Sequence, residues 1–308
     1  GMGEVWRAEH VMLARPAAIK LIRTAGDGAA PSRDVQKRFE REARATARLS
    51  SPHTVQIYDY GTTKEGTFYY VMELLDGFDL DTLVKDFGQV PPERAIHFLR
   101  QACDSLAEAH ARGLIHRDIK PANIYVCQYG IEVDFVKVLD FGLVKTASGL
   151  DPADATLTAV GTIAGTPGYM SPEMALGRDV GPAADIYSLG CVGYWLLTGR
   201  PVFERDTPVE LIIDHARTAP PSLSERSPVP LPPGLEEVLL ACLEKDPERR
   251  PASVVELAAR LEAIHTSEAW TSERARRFWV DHPRRAVAVA DAPTVEFAQA
   301  TPRVGRAG

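Results

Sequence analysis

The sequence has no run of about 18 apolar residues, no close pair of cysteines and no excess of basic residues, and each lack removes a class of function. Without a long apolar run, nothing in the chain reads as a bilayer-spanning helix, and no signal peptide is recognisable at the start. Four scattered cysteines, Cys103, Cys127, Cys191 and Cys242, offer neither zinc-ligand nor redox-pair spacing. They read as small core residues in a reducing compartment, so the expected location is cytoplasmic. A formal net charge of −7 argues against nucleic acid or an anionic membrane surface as the main partner. Internal repeats are absent too. What remains is a chain of 308 residues, 45% hydrophobic and 25% charged, long enough for two lobes with separate cores.

The informative segment is His116-Arg117-Asp118-Ile119-Lys120-Pro121-Ala122-Asn123, followed seventeen residues after Asn123 by Asp140-Phe141-Gly142. Each piece has a bland reading. A lone Asp-Phe-Gly marks a strand end entering a turn, and a lone His-Arg-Asp is a solvated loop. In this order and at hairpin spacing they supply what phosphoryl transfer needs. One carboxylate (Asp118) orients a hydroxyl, an amine (Lys120) steadies the moving phosphoryl group, and two oxygen donors (Asn123 and Asp140) suit Mg²⁺.

The segment resembles the catalytic loop and metal-binding segment of the eukaryotic-type protein kinases, in the form found in bacterial serine/threonine kinases. The resemblance covers residues 1–265. It implies an α+β, bilobal fold: a small antiparallel-sheet N-lobe over residues 1–75, lacking its first strand, and a larger helical C-lobe over residues 76–267. It implies ATP as cofactor with Mg²⁺, Mn²⁺ being the alternative metal. Asp118 and Lys120 become the catalytic pair and Asn123 and Asp140 the metal ligands, with His116 and Phe141 packing behind them.

Other stretches take their meaning from that resemblance. Gly1-Met2-Gly3-Glu4-Val5-Trp6 is similar to the second half of a glycine-rich phosphate loop, with Gly1 and Gly3 as loop glycines and Val5 packing on adenine. Ala17–Ile22 is an apolar run broken by Lys20 and reads as a buried strand. Alone, Lys20 is a snorkelling edge-strand lysine; in the family pattern it grips the α and β phosphates. Residues 34–49 place Phe39, Glu42, Ala43, Thr46 and Leu49 on one helical face. Glu42 is there the expected carboxylate partner of Lys20. Val55–Tyr60 and Phe68–Leu75 complete the small sheet. The pattern further implies that Met72 guards the adenine pocket while Glu73 and Leu75 offer backbone groups to the adenine edge.

In the second lobe, Asp76-Gly77 punctuates the change of lobe. Pro91-Pro92-Glu93 opens a helix carrying Ile96, Leu99, Ala102, Leu106 and Ala109, ending at Gly113. An activation segment is expected from Asp140 to Glu173, closing with Ser171-Pro172-Glu173. Thr158 or Thr162 is expected as an autophosphorylation site pairing with Arg117, and Thr166 as a partner of the catalytic Asp and Lys. Asp185 heads an apolar helix and supports the catalytic loop, and Arg250 is the expected partner of Glu173. Residues 200–234 read as Pro-rich connectors. Helices are expected around Leu235–Cys242 and Val254–Leu261. Residues 268–308 read as a disordered tail or linker, with a short helix around Arg274–Trp279 able to dock and Thr294 or Thr301 open to autophosphorylation.

The expected function is thus a protein kinase acting on Ser/Thr hydroxyls of proteins, with autophosphorylation; dimerisation is the arrangement that a reaction in trans would use. A nucleotide-binding pseudokinase or scaffold is the alternative, because half of the glycine-rich loop is missing. A small-molecule phosphotransferase is disfavoured by Thr166 and Ser171-Pro172-Glu173, and a tyrosine kinase by Lys120.

Overall fold

The computed structural model describes residues 3–10, 14–22, 33–63, 66–141 and 166–282. Four strands, β1 (Gly3–His10), β2 (Arg15–Ile22), β3 (Ile57–Thr62) and β4 (Phe68–Glu73), form an antiparallel sheet in the order β1-β2-β4-β3. Period-two burial decides its inner face: Phe68, Tyr70 and Met72 are buried and pack with Ala18 and Ile22. Helix α1 (Arg33–Thr46) lays Phe39 and Ala43 onto that face, and Phe39 stacks on Phe68 with ring centroids 4.4 Å apart. This is the small core of the N-lobe.

A second antiparallel sheet, β5 (Asp76–Asp79), β6 (Ile124–Tyr129) and β7 (Glu132–Val138), begins the C-lobe. The sequence presents Asp76-Gly77 only as punctuation, yet it pairs with Gln128 and Cys127. Gly77 makes that pairing possible, because a Cβ there would lie 1.9 Å from the Val126 carbonyl oxygen. Asp79 then caps α2 (Leu80–Phe87) by accepting from Thr82 N at 2.8 Å. Helix α3 (Pro92–Ala111) follows, with the apolar stripe expected of it buried in the main core.

Beyond the catalytic segment come α4 (Pro172–Ala175), α5 (Ala183–Thr198), α6 (Pro208–Arg217), α7 (Leu235–Cys242) and α8 (Val254–Glu262). Helix α5 is apolar all round and buried along almost its whole length, so it forms the axis of the lobe. Gly190 lets α7 approach: a Cβ there would meet Cys242 Cβ at 2.7 Å. Helix α6 corrects the reading of residues 200–234 as connector. Its start carries a capping box, with Thr207 Oγ1 accepting from Glu210 N and Glu210 Oε2 accepting from Thr207 N.

The tail needs a larger correction. Residues 272–281 form helix α9 (Ser272–Asp281), and its Trp279 is buried against Phe78, ring centroids 4.9 Å apart. Asp134, fully buried in β7, accepts from Arg94 Nε and Nη2, from Trp270 Nε1 and from Trp279 Nε1. The large apolar residues of this segment offset the ordering entropy that a charged linker could not. The short docking helix expected around Arg274–Trp279 is present, longer by two residues at each end, and the disordered reading is corrected for the helix that packs; Thr294 and Thr301 lie outside the described residues. Among the described residues, no helix is long and apolar enough to cross a membrane.

Candidate active site

The loop from α3 to β6 is held from below by a single acid. Asp185, fully buried on α5, accepts the backbone N–H of His116 at 2.9 Å and of Arg117 at 2.8 Å, and it bonds His110 Nε2 at 2.8 Å. Burial alone would raise its pKa, but the His110 hydrogen bond and the neighbouring imidazoles outweigh that and hold it below the ordinary value. Arg117 can therefore adopt φ +64°, a conformation costly for a non-glycine residue. Two amide bonds to a buried carboxylate overdetermine it. Asp185 is thus the expected support. It is the third residue of α5 rather than its cap, which is Pro182.

His116 is buried, bonds the Leu139 carbonyl through Nε2 at 2.7 Å, and packs on Phe141 at 4.7 Å between ring centroids. Burial lowers its pKa, so it stays neutral and serves as a joint between the loop and the strand carrying Asp140. Leu139 N also donates to Asn123 O at 2.9 Å, which ties the two oxygen-donor residues together.

Two sets of polar side chains lie above this frame, one around Asp118 and one around Asp140. Lys120 Nζ donates to Asp118 Oδ2 at 2.8 Å and to Thr166 Oγ1 at 3.1 Å. Asn123 Nδ2 donates to Asp118 O at 2.8 Å and to Asp118 Oδ2 at 2.9 Å. With both amide hydrogens so used, Asn123 presents its Oδ1 as an acceptor. Asp140 stands at φ +60° and accepts from Lys20 Nζ on Oδ2 and from the Tyr70 hydroxyl on Oδ1. Burial would raise the Asp140 pKa; the Lys20 charge and the two hydrogen bonds hold it below the ordinary carboxylate value.

Residues 1–261 match the protein kinase domain family. The chain belongs to that family. A serine/threonine-protein kinase of Myxococcus xanthus, pkn3, is 35% identical over 286 residues, covering 92% of this chain and 50% of the relative. PknD of Mycobacterium tuberculosis, also a serine/threonine-protein kinase, is 40% identical over 269 residues, covering 87% of this chain and 39% of the relative. The chain thus spans about half or less of the length of these relatives. Among solved structures, the kinase domain of Mycobacterium tuberculosis PknI superposes with TM-score 0.65 at 26% identity, covering 85% of this chain and 91% of that one.

Within the kinase fold, the structure joins Lys120 and Asn123 to Asp118 and Lys20 to Asp140, and the Leu139–Asn123 backbone bond ties the two groups. One pairing differs from expectation: Lys20 forms its ion pair with Asp140, not with Glu42. Glu42 stays half-buried on the inner side of α1, where Thr46 Oγ1 donates to its carbonyl. Asp140 is the carboxylate that the fold brings to Lys20 Nζ, and with its side chain only 13% exposed it needs that counter-charge. Met72 is buried in the N-lobe core beside the segment to β5. Glu73 directs its side chain to Lys137 Nζ at 2.8 Å, and Leu75 is half-buried. Gly3 and Val5 lie on β1, and Val5 is largely exposed. Gly1, Gly142, Thr158 and Thr162 lie outside the described residues.

Tyr70 was not legible as a site residue. The signal was there in the strand period, since Tyr70 alternates with Met72 and is the register partner of Lys20. A divalent cation fits the donor set. Among the described residues no cluster of three or more His, Cys, Asp or Glu is placed to cage a metal, and two hard oxygen donors suit Mg²⁺, which completes its shell with phosphate oxygens and water.

Proposed function

We propose that this kinase domain transfers the γ-phosphoryl group of ATP to serine and threonine hydroxyls of proteins, its own included. The observation that carries the reading is the Asp118–Lys120–Thr166 chain of contacts, 2.8 and 3.1 Å long. It sets a carboxylate, an ammonium and the start of the Thr166–Glu173 segment side by side. Asp118 accepts the hydrogen of an incoming hydroxyl and aims its oxygen. Lys120, already beside that carboxylate, meets the negative charge that develops on the moving phosphoryl oxygens. Asn123 and Asp140 would hold Mg²⁺, which would offset the phosphate charge. Lys20 exchanges Asp140 for the α and β phosphates. Glu73 and Leu75 supply backbone groups to the adenine edge, with Met72 behind them.

Thr166 and the Glu173–Arg250 pair support a protein substrate. Arg250 Nη1 and Nη2 each reach a Glu173 oxygen at 2.8 Å, fixing the segment on which an acceptor peptide would lie. The test uses γ-labelled ATP, Mg²⁺ and a basic protein rich in Ser and Thr, followed by phosphoamino-acid analysis. Phosphoserine and phosphothreonine are expected. Phosphotyrosine alone would overturn the acceptor class, and nucleotide binding without any labelling would favour the pseudokinase.

A further inference from the structure

Tyr70 and Lys20 face each other across β4 and β2 as register partners, and both side chains end on the same carboxylate. Lys20 takes Asp140 Oδ2 and the Tyr70 hydroxyl takes Oδ1. The two prongs differ in kind. Lys20 carries its charge on a flexible four-carbon stem that can swing to another anion. Tyr70 is 1% exposed, packed between neighbours of the N-lobe core, and has no freedom to follow it. The Asp140 backbone is already fixed on either side. Leu139 is bonded to Asn123 and His116, and Phe141 is buried against His116. Only the carboxylate torsions are left to settle.

We propose that Tyr70 is a positioning residue that keeps the Asp140 carboxylate aimed at the metal when Lys20 leaves it for the nucleotide phosphates. The proposal rests on the reading of Asp140 as a metal ligand. A carboxylate has about four lone-pair directions, so a hydrogen bond on Oδ1 does not use up the group. Metal and tyrosine can share the carboxylate, whereas metal and ammonium repel each other across it. Departure of Lys20 thus opens Oδ2 while Tyr70 holds the plane. Such a partner acts as an outer-shell residue does at other metal sites, by fixing the ligand's orientation.

The test measures ADP affinity of the full chain by calorimetry, with Mg²⁺ and with EDTA, for wild type, Tyr70→Phe and Asp140→Asn. Tyr70→Phe removes one hydroxyl from a packed site and leaves the ring in place. The readout is the ratio of the two affinities, which a merely structural loss would not move. For Tyr70→Phe the ratio is expected to fall roughly 10-fold, and for Asp140→Asn the Mg²⁺ enhancement should vanish. A wild-type or larger ratio in Tyr70→Phe, with the enhancement lost in Asp140→Asn, would overturn the role of Tyr70 alone. Full enhancement in Asp140→Asn would overturn the metal-ligand reading beneath it.

Discussion

Trp279 donates its indole N–H to Asp134 Oδ1 at 2.7 Å, joining the last described helix to the hairpin that leads into Asp140. The family match ends at residue 261, so the Trp270 and Trp279 side of this clasp lies beyond the matched residues while Asp134 and Arg94 lie within them. Asp134→Asn would replace an acceptor shared by Arg94, Trp270 and Trp279 with an amide that faces donors. Breaking a buried charge network costs about 3–5 kcal/mol, which for a chain of this size lowers Tm by roughly 10 °C. Thermal unfolding followed by tryptophan fluorescence checks it. A change within a degree or two would show that the shared Asp134 acceptor contributes little to the fold.

Glu173 and Arg250 form a buried bidentate pair, and Arg250 also donates to Ala183 O and Glu244 O, both at 2.8 Å. Glu173→Ala leaves a buried guanidinium without its carboxylate, at about 3–5 kcal/mol. A denaturant titration should show the midpoint falling with the slope unchanged.

Stability should also fall with acid, through His215. It is fully buried, shares a hydrogen bond with the Tyr187 hydroxyl at 2.9 Å, and its pKa drops to about 4 through burial and then the Lys245 charge. A histidine with a depressed folded pKa binds fewer protons folded than unfolded. Stability is therefore full above pH 6.5 and declines as pH falls toward about 4. The loss is on the order of 3 kcal/mol. Denaturation midpoints between pH 7 and 4 should show it, and His215→Asn should flatten the slope without abolishing it, because burial lowers the pKa of His116 and of His97 as well.

Lys20→Met removes the counter-charge of Asp140 and the proposed grip on phosphate together. The phosphotransfer rate should drop by about 10²-fold or more, and the Asp140 carboxyl should then titrate at higher pH. A variant with near wild-type rate would place the phosphate grip on another residue.

Much of the architecture was legible because period and punctuation agree. Ala17–Ile22, the α1 stripe and the α3 stripe each carry one clear pattern that packing does not override. Helix α6 was hidden by prolines at 201 and 208, although Thr207 and Glu210 carried the capping-box signal. In the tail the short helix was legible, but not what it packs on. Its anchors are three aromatic residues whose partners, Asp134, Phe78 and Arg94, lie more than a hundred positions earlier. The site was legible where the chemistry is local, from His116 to Asn123. It was not legible where a partner depends on strand register, as with Tyr70, or on which of two carboxylates the fold brings within reach, as with Lys20.

The most direct measurement compares wild type with Asp118→Asn in transfer of label from γ-labelled ATP, with Mg²⁺-ADP affinity measured on the same preparations. Nucleotide affinity should survive, since the Asp118 backbone carbonyl still accepts from Asn123 Nδ2 and the variant keeps a side-chain oxygen for the second bond. Transfer should fall by about 10²–10⁴-fold. Equal labelling by both proteins would contradict the role of Asp118, and with it the proposed kinase mechanism.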